Sequence, residues 1–464
     1  MTKILTPPLA ARATVDPPSS SSAPLAAALD ELLAQRAIGT VFQPIVDLAT
    51  AEIVAFEALS RGPAGSPLQR PDVMFDTARA EGRIAELDGL CRDLAYEAVT
   101  RSALATPHCV FVNREPTAAA LAPPADDVLA QFHRRGIRRV VEFTERDLSR
   151  DPAELLALAT SIRASGAGIA LDDVGVDADS LAFMPFLMPD VIKLDMGLLH
   201  RRPDDDTVQV LSAVRAHAER RGAVILAEGI ETPEHERLAI AMGATLGQGW
   251  LYGRPGPLPS AGTPALPVPS RPLLLRDPDP DLALASPWAM VTENHPALRA
   301  PADLLFALRR QLEDTLTTLD GLAVVLLSCI DAPHISCECA EHYTTLAAHA
   351  RFAAALGAGM PDELVPGLRG SQLAPDDPVG DEWNMVVVSP HFAAAIIARE
   401  RDDPQPDEDR AFDYVLTYDR TLVVDIARTL MMRALPLDEP DPVIGAAPTT
   451  EHTPPDEGEA GSRR

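Results

Sequence analysis

The chain has 464 residues, 46% of them apolar, enough for two folded domains with tails. Its formal net charge of −28 argues against a nucleic acid polymer or an anionic membrane as a partner of the general surface. An anionic small ligand would therefore need metal ions or a local cluster of Arg or Lys. The five Cys form no regular framework and fit a reducing cytoplasm, and no run of about 18 apolar residues offers a membrane span.

Residues 1–24 are rich in Pro, Ser, Thr and Ala and read as a disordered terminus, with Pro7 and Pro8 breaking any signal-peptide core. Residues 25–254 then alternate β-rich runs with Ala/Leu-rich stretches of helical character. The strand candidates are 41–48, 52–59, 108–113, 138–145, 168–173, 190–195, 223–229 and 245–250. Helices are expected between most of them, for example "PAELLALATSIRASG" at 152–166 and "PEHERLAIAMG" at 233–243. Strands joined by helical crossovers imply parallel pairing, and about eight such units predict an α/β fold, a TIM-like (β/α)8 barrel.

Residues 255–281, opening with most of "RPGPLPSAGTPALPVPSRP" (254–272), are expected to be a stiff Pro-rich linker. A smaller α/β domain is expected over 282–435. Its candidates are a buried strand "GLAVVLLSCI" (321–330), a strand "MVVVS" followed by a helix, a strand "FDYVLT", and an amphipathic helix. The acidic, Pro-rich residues 436–464 are left as a disordered tail.

The polar residues of the first region follow a rule. Glu57, Asn113, Glu142, Asp172, Asp173, Lys193, Asp195, Glu228 and Gln248 all stand near the end of an apolar run or just after it. A carboxylate inside a buried strand, such as Glu142 in "VVEFTE", is costly unless it is paired or binds a metal. In a parallel barrel those strand ends converge on one face, where active sites lie. Such an all-oxygen set suits Mg2+ or Mn2+, and the adjacent Asp172 and Asp173 could serve a two-metal site for phosphodiester cleavage. Lys193 could hold or deprotonate the attacking water, its pKa lowered by the cations. Taken singly, each carboxylate is more often a helix cap or a loop acid than a ligand.

Seven motifs in order, "FEALSR" (56–61), "FVN" (111–113), "EFTE" (142–145), "LDDVG" (171–175), "IKLD" (192–195), "LAEGIET" (226–232) and "GQGW" (247–250), resemble the EAL-domain cyclic di-GMP phosphodiesterases. The resemblance implies a (β/α)8 barrel that cuts cyclic di-GMP to linear pGpG with Mg2+ or Mn2+. It implies Glu57, Asn113, Glu142 and Asp172 at a first metal and Asp173 and Asp195 at a second. Lys193 would contact the catalytic water, Glu228 would lie in the metal and substrate shell, and Glu231 would orient Lys193. Gln248 would complete the site and Arg61 would contact a substrate phosphate. A homodimer is also in keeping with the family.

One segment departs. Where the family carries something like DDFGTGYSSL, this chain has "DDVGVDADSL" at 172–181. In the family this loop supports metal binding and dimer contacts. Asp177 replaces a Gly and would be strained at positive φ, and the added acids would slow turnover. The alternative is a receptor that holds cyclic di-GMP without cutting it; a third reading is a partner-binding protein with no nucleotide role.

The second region resembles the DICT sensory domain, through "DEWNMVVVSPHFAAAIIA" (381–398), "HYTTLAAHARFAAALG" (342–357) and "TYDRTLV" (417–423). No sensory ligand carries over from that resemblance. His334, Cys337, Cys339 and His342 could ligate zinc, or be core Cys and surface His. Trp383 and Tyr414 could line a pocket, or be core aromatics. The charge run 400–410 reads as a solvated loop.

Overall fold

The structure, a computed structural model, describes residues 23–115, 126–144, 148–260, 266–276, 285–319, 321–331, 340–401 and 411–434. The first region is a closed eight-stranded barrel. Its strands are β1 (Gly39–Asp47), β2 (Ile53–Arg61), β3 (Cys109–Arg114), β4 (Arg138–Phe143), β5 (Gly168–Val174), β6 (Val191–Leu194), β7 (Val224–Ala227) and β8 (Leu246–Gln248). Helix α1 (Ala23–Ala34) precedes them, and α2 (Pro71–Ala80) and α3 (Ile84–Arg101) follow β2. Around the rest of the barrel run α4 (Asp126–Arg135), α5 (Pro152–Ala164), α6 (Ala178–Leu187), α7 (Gly197–His200), α8 (Asp205–Arg221) and α9 (Pro233–Ala241).

Local chemistry sets these helix ends. Asp151, Asp204 and Thr232 cap α5, α8 and α9, each accepting from the backbone N–H three residues on. Pro152 and Pro233 stand in the first helical turn. Gly222, at φ 72°, closes α8 in the left-handed region.

Two expectations need correction here. Pairing is not parallel throughout, because β1 runs antiparallel to both β2 and β8. Only residues 48–52 separate β1 from β2, too few for a crossover helix, and Asp47 ties that turn by accepting from the N–H groups of Ala49 and Thr50. Strands β2 to β8 are parallel to one another, so their carboxyl ends still share one mouth. The Pro-rich segment, expected as a stiff linker, lies in its described parts against the opposite end of the barrel. Leu273 and Leu275 are buried in the barrel-interior cluster with Phe111, Val140 and Leu226. Arg276 donates to the carbonyls of Met188 and Pro189, and Ser270 donates to Glu52. The segment thus plugs the end away from the mouth.

The second region is an eight-stranded sheet flanked by helices. In chain order it contains α10 (Pro287–Asn294), β9 (Leu298–Pro301), α11 (Ala302–Leu316), β10 (Ala323–Asp331), α12 (Ala340–Ala348), β11 (Ala350–Ala358), β12 (Glu363–Val365) and β13 (Leu368–Gln372). Then come β14 (Glu382–Val388), β15 (Ala393–Glu400), β16 (Ala411–Thr417) and α13 (Arg420–Met431). The sheet order is β12-β13-β11-β10-β14-β15-β16-β9. The helix expected after "MVVVS" is in fact the strand β15. It pairs antiparallel with both β14 and β16, and a four-residue turn closed by Ser389 N–H on Phe392 O leaves no room for a helix between them. Alanine's helix propensity yields to a central place in the sheet.

Strand alternation sends the side chains of β10 to two different cores. Ala323, Val325 and Leu327 pack with α11 and α12, while Val324 and Leu326 join a cluster that continues into Leu156, Phe183 and Val214 of the barrel helices. Barrel and sheet therefore share one hydrophobic layer, with Phe183 of α6 edge-on to Phe352 of β11 at 5.7 Å between centroids. Residues 1–22 and 435–464 lie outside the described residues.

Candidate active site

Strand register fixes the mouth. Gln43 stands opposite Glu57, and Asn113 opposite Glu142. Lys193 on β6 is buried at the centre, its Nζ 2.8 Å from Glu142 Oε1, 2.7 Å from Asp172 Oδ1, 2.7 Å from Glu228 Oε1 and 3.4 Å from Glu57 Oε1. Gln248 on β8 donates to Glu57 Oε2 at 2.6 Å. Four strands thus bring four carboxylates to one ammonium, which leaves an excess of buried negative charge.

The electrostatics follow from that excess. Burial pushes the Glu142 carboxyl well up, and repulsion from Glu57 and Asp172 outweighs the pull of Lys193. Burial likewise raises Asp172 and Glu228. Glu57 is the exception: burial would raise it, but Lys193 and the Gln248 hydrogen bond carry it below the ordinary range. Burial would lower Lys193, yet the four carboxylates hold it well above its usual value. The lowered lysine expected from the sequence would require divalent cations on the same carboxylates.

A divalent cation fits this donor set. Both carboxylate oxygens of Glu142, a residue with 0% exposure, and Oδ1 of Asp172 lack a hydrogen-bond partner in good geometry although Lys193 is close. Ligand atoms of Asp172, Asp173 and Glu228 all lie within 4.8 Å of one another. An all-oxygen set of this kind suits hard cations of the Mg2+, Mn2+ and Ca2+ class. With Arg61 and Asp173, Asn113 borders a cavity that opens beside the carboxylates.

Two of the expected residues stand apart. Glu231 is exposed and makes no ion pair with Lys193; its place in the sequence puts it beyond the Gly229 turn, on the approach to α9. The carboxylate that touches Lys193 from this segment is Glu228 instead. Asp195 spends Oδ1 on the Gly197 N–H at 2.8 Å and is not grouped with the Asp172, Asp173 and Glu228 ligand atoms.

The altered loop also differs from expectation. Asp177 sits at φ −123° as the cap of α6, so no strain arises there. The positive φ falls on Asp173, at 47°, and on Gly175, at 113°. The added acids face away from the mouth toward the second domain. Arg351 of β11 pairs with Asp177 at 2.6 Å and also with Asp179, whose other oxygen accepts from Ser149. Arg369 of β13 donates to the carbonyls of Ser149 and Arg150 alongside.

Sequence reasoning missed the residues that extend the mouth sideways. Asp88 on α3 is buried against Arg114 at 3.3 Å, and burial raises it to about 6. With Phe75, Arg79, Arg92 and Glu115 it borders the cavity of about 330 Å3 next to Arg61. The available signal was a charged residue on the buried face of α3, between Leu87 and Leu90.

A family model described as EAL domain matches residues 26–255, and one described as Sensory domain in DIguanylate Cyclases and Two-component system, DICT, matches 287–401. Residues 26–255 are an EAL domain, and residues 287–401 are a DICT domain. The EAL domain is similar to cyclic di-GMP phosphodiesterase NbdA of Pseudomonas aeruginosa, 30% identical over 47% of this chain and 29% of that protein. It is also similar to the probable cyclic di-GMP phosphodiesterase PdeB of Escherichia coli, 28% identical over 49% of this chain and 44% of the relative. The chain thus spans less than half the length of these curated relatives. Among solved structures, a manganese and cyclic di-GMP complex of BlrP1 from Klebsiella pneumoniae aligns with 26% identity and a TM-score of 0.41, covering 47% of this chain and 56% of that one.

In the second region, Tyr414 belongs to the core, while Trp383 borders a cavity of about 30 Å3, room for little more than a water molecule. His342 pairs with Glu313 at 2.9 Å; His334, Cys337 and Cys339 lie outside the described residues, as do residues 402–410 of the charge run. Cys91 and Cys109 are free and buried. Among the described residues no helix is long and apolar enough to cross a membrane.

Proposed function

We propose that the EAL domain hydrolyses cyclic di-GMP to linear pGpG with Mg2+ or Mn2+, and that the DICT domain biases this activity. The observation that carries the reading is the excess of carboxylate around Lys193, with the oxygens of Glu142 left without hydrogen bonds. Glu57, Asn113, Glu142, Asp172, Asp173 and Glu228 would hold the cations. When bound, two such ions lower the pKa of water and stabilise the charge on the attacking and leaving oxygens of a phosphodiester.

The chain's own groups do the rest. Gln248 orients Glu57 by its hydrogen bond, and strand register sets Asn113 beside Glu142. Lys193 Nζ keeps four carboxylates within reach of one centre and is placed to hydrogen-bond the attacking water. Arg61 offers a planar guanidinium to a non-bridging phosphate oxygen. The cavity of about 330 Å3 beside it has the size to take one guanosine half of the substrate.

The receptor alternative rests on the altered 174–179 loop as a whole. Within that loop Asp177 and Asp179 engage Arg351, which supports the enzyme as far as these acids are concerned. Incubation of the full chain with cyclic di-GMP and manganese, followed by chromatography, should yield pGpG. Recovery of intact nucleotide after hours, with binding seen by calorimetry, would instead make it a receptor.

A further inference from the structure

Away from the mouth, α8 of the EAL domain and α13 of the second region enclose a cleft of about 260 Å3. It is lined by His217, Arg220 and Arg221 from α8 and by Arg420 and Thr421 from α13. Arg220 donates to the carbonyl of Pro390 at 2.8 Å, and Arg420 to those of Phe392 and Ser389 at 3.1 and 2.8 Å. Arginines of both domains therefore grip the same β14–β15 turn. Carbonyls satisfy their geometry but leave the charge uncompensated.

Among the described residues none of these three arginines pairs with a carboxylate, in a chain of net charge −28. Arg221 makes neither a hydrogen bond nor an ion pair there. His217, which borders the cleft, is 6% exposed, and its buried Nε2 has no hydrogen-bond partner. Burial, with repulsion from Arg220 and Arg221, lowers Arg420 to about 10, and burial with the surrounding arginines lowers His217 to about 3. A cationic cluster of this kind is costly to keep unless a counter-charge comes from outside.

We propose that this cleft binds a small oligophosphate anion and that the anion bridges the EAL domain and the second region of the chain. Guanidinium forks from two helices suit several phosphoryl oxygens at once. The volume admits a diphosphate group but not a whole cyclic dinucleotide. Bound there, the ligand favours the docked arrangement, because its partners come from both sides of the boundary.

The test is thermal denaturation of the full chain, stripped of divalent ions, in sodium pyrophosphate against sodium chloride of equal ionic strength. Stripping keeps the acidic mouth from contributing a phosphate site. The expected result is a saturable rise in Tm of about 2–4 °C, with half-saturation at least tenfold weaker in Arg221→Gln. Arg221 makes no bond that the fold needs, and His217→Asn serves as a second variant should the first be poorly behaved. A parallel run with GDP tells inorganic from nucleotide-borne diphosphate, and a saturable rise with either, weakened in Arg221→Gln, supports the site. No saturable rise with either probe, or half-saturation in Arg221→Gln and His217→Asn equal to that of the parent, overturns it.

Discussion

The barrel mouth and the interdomain cleft carry opposite charge excesses, and they are built differently. At the mouth, Glu57, Glu142, Asp172 and Glu228 surround the single ammonium of Lys193. In the cleft, Arg220, Arg221, Arg420 and His217 surround nothing acidic among the described residues. The mouth groups stand on neighbouring strands whose register leaves them little freedom. The cleft groups belong to two domains and can separate. Both excesses call for a counter-ion, but only the first is preorganised for chemistry, whereas the second responds to whether the domains are together.

The largest effect expected from this contrast is on stability at the mouth. Lys193→Met removes the ammonium shared by three buried carboxylates and the half-buried Glu228, and loss of one buried partner costs about 3–5 kcal/mol. Urea denaturation should show that loss, and manganese should restore more stability to the variant than to the parent. An equal manganese response in both would mean that the carboxylates do not take the ion.

Next in size is Glu142→Gln. Loss of an outer partner of a metal ligand typically lowers activity or affinity by about 10–100-fold, so loss of a ligand should cut pGpG formation by about 100-fold or more. The Tm should stay equal or rise, because the substitution removes a carboxyl that burial already disfavours. A parallel fall in Tm and activity would make Glu142 a structural residue instead.

Much of the mouth could be read before the structure, because strand ends in a parallel barrel have one destination. Glu57, Glu142, Asp172, Lys193, Glu228 and Gln248 are brought together by that rule alone. It fails where a side chain stands beyond the strand: Glu231, past the turn at Gly229, and Asp195, which is occupied by its own turn. The cleft was not legible, since Arg220 and Arg420 lie 200 residues apart in sequence and meet only through domain docking. A hint existed in α6, whose run "SLAFMPFLM" has no polar face. A helix apolar all round has to be covered on both sides, and here the second cover is the DICT sheet. The strand β15 reads as a helix in the sequence because its alanines speak for one, and only the four-residue turn from β14 rules it out.

The smallest effect separates two accounts of the altered loop. Arg351 holds Asp177 and Asp179, but its side chain is 37% exposed, so solvent screens the pairs and Arg351→Gln should cost no more than about 1 kcal/mol of stability. If the loop acids hinder the substrate, freeing them in Arg351→Gln lowers turnover, whereas replacing "VDAD" (176–179) by "TGYS" raises it. If they anchor the DICT domain, both changes cut the same contact and shift turnover in the same direction, by less than about fivefold. The double variant then adds little to either single one, because each has already removed what the other would remove. The orientation of both acids toward Arg351 favours the anchor, and steady-state rates for the three variants decide between the accounts.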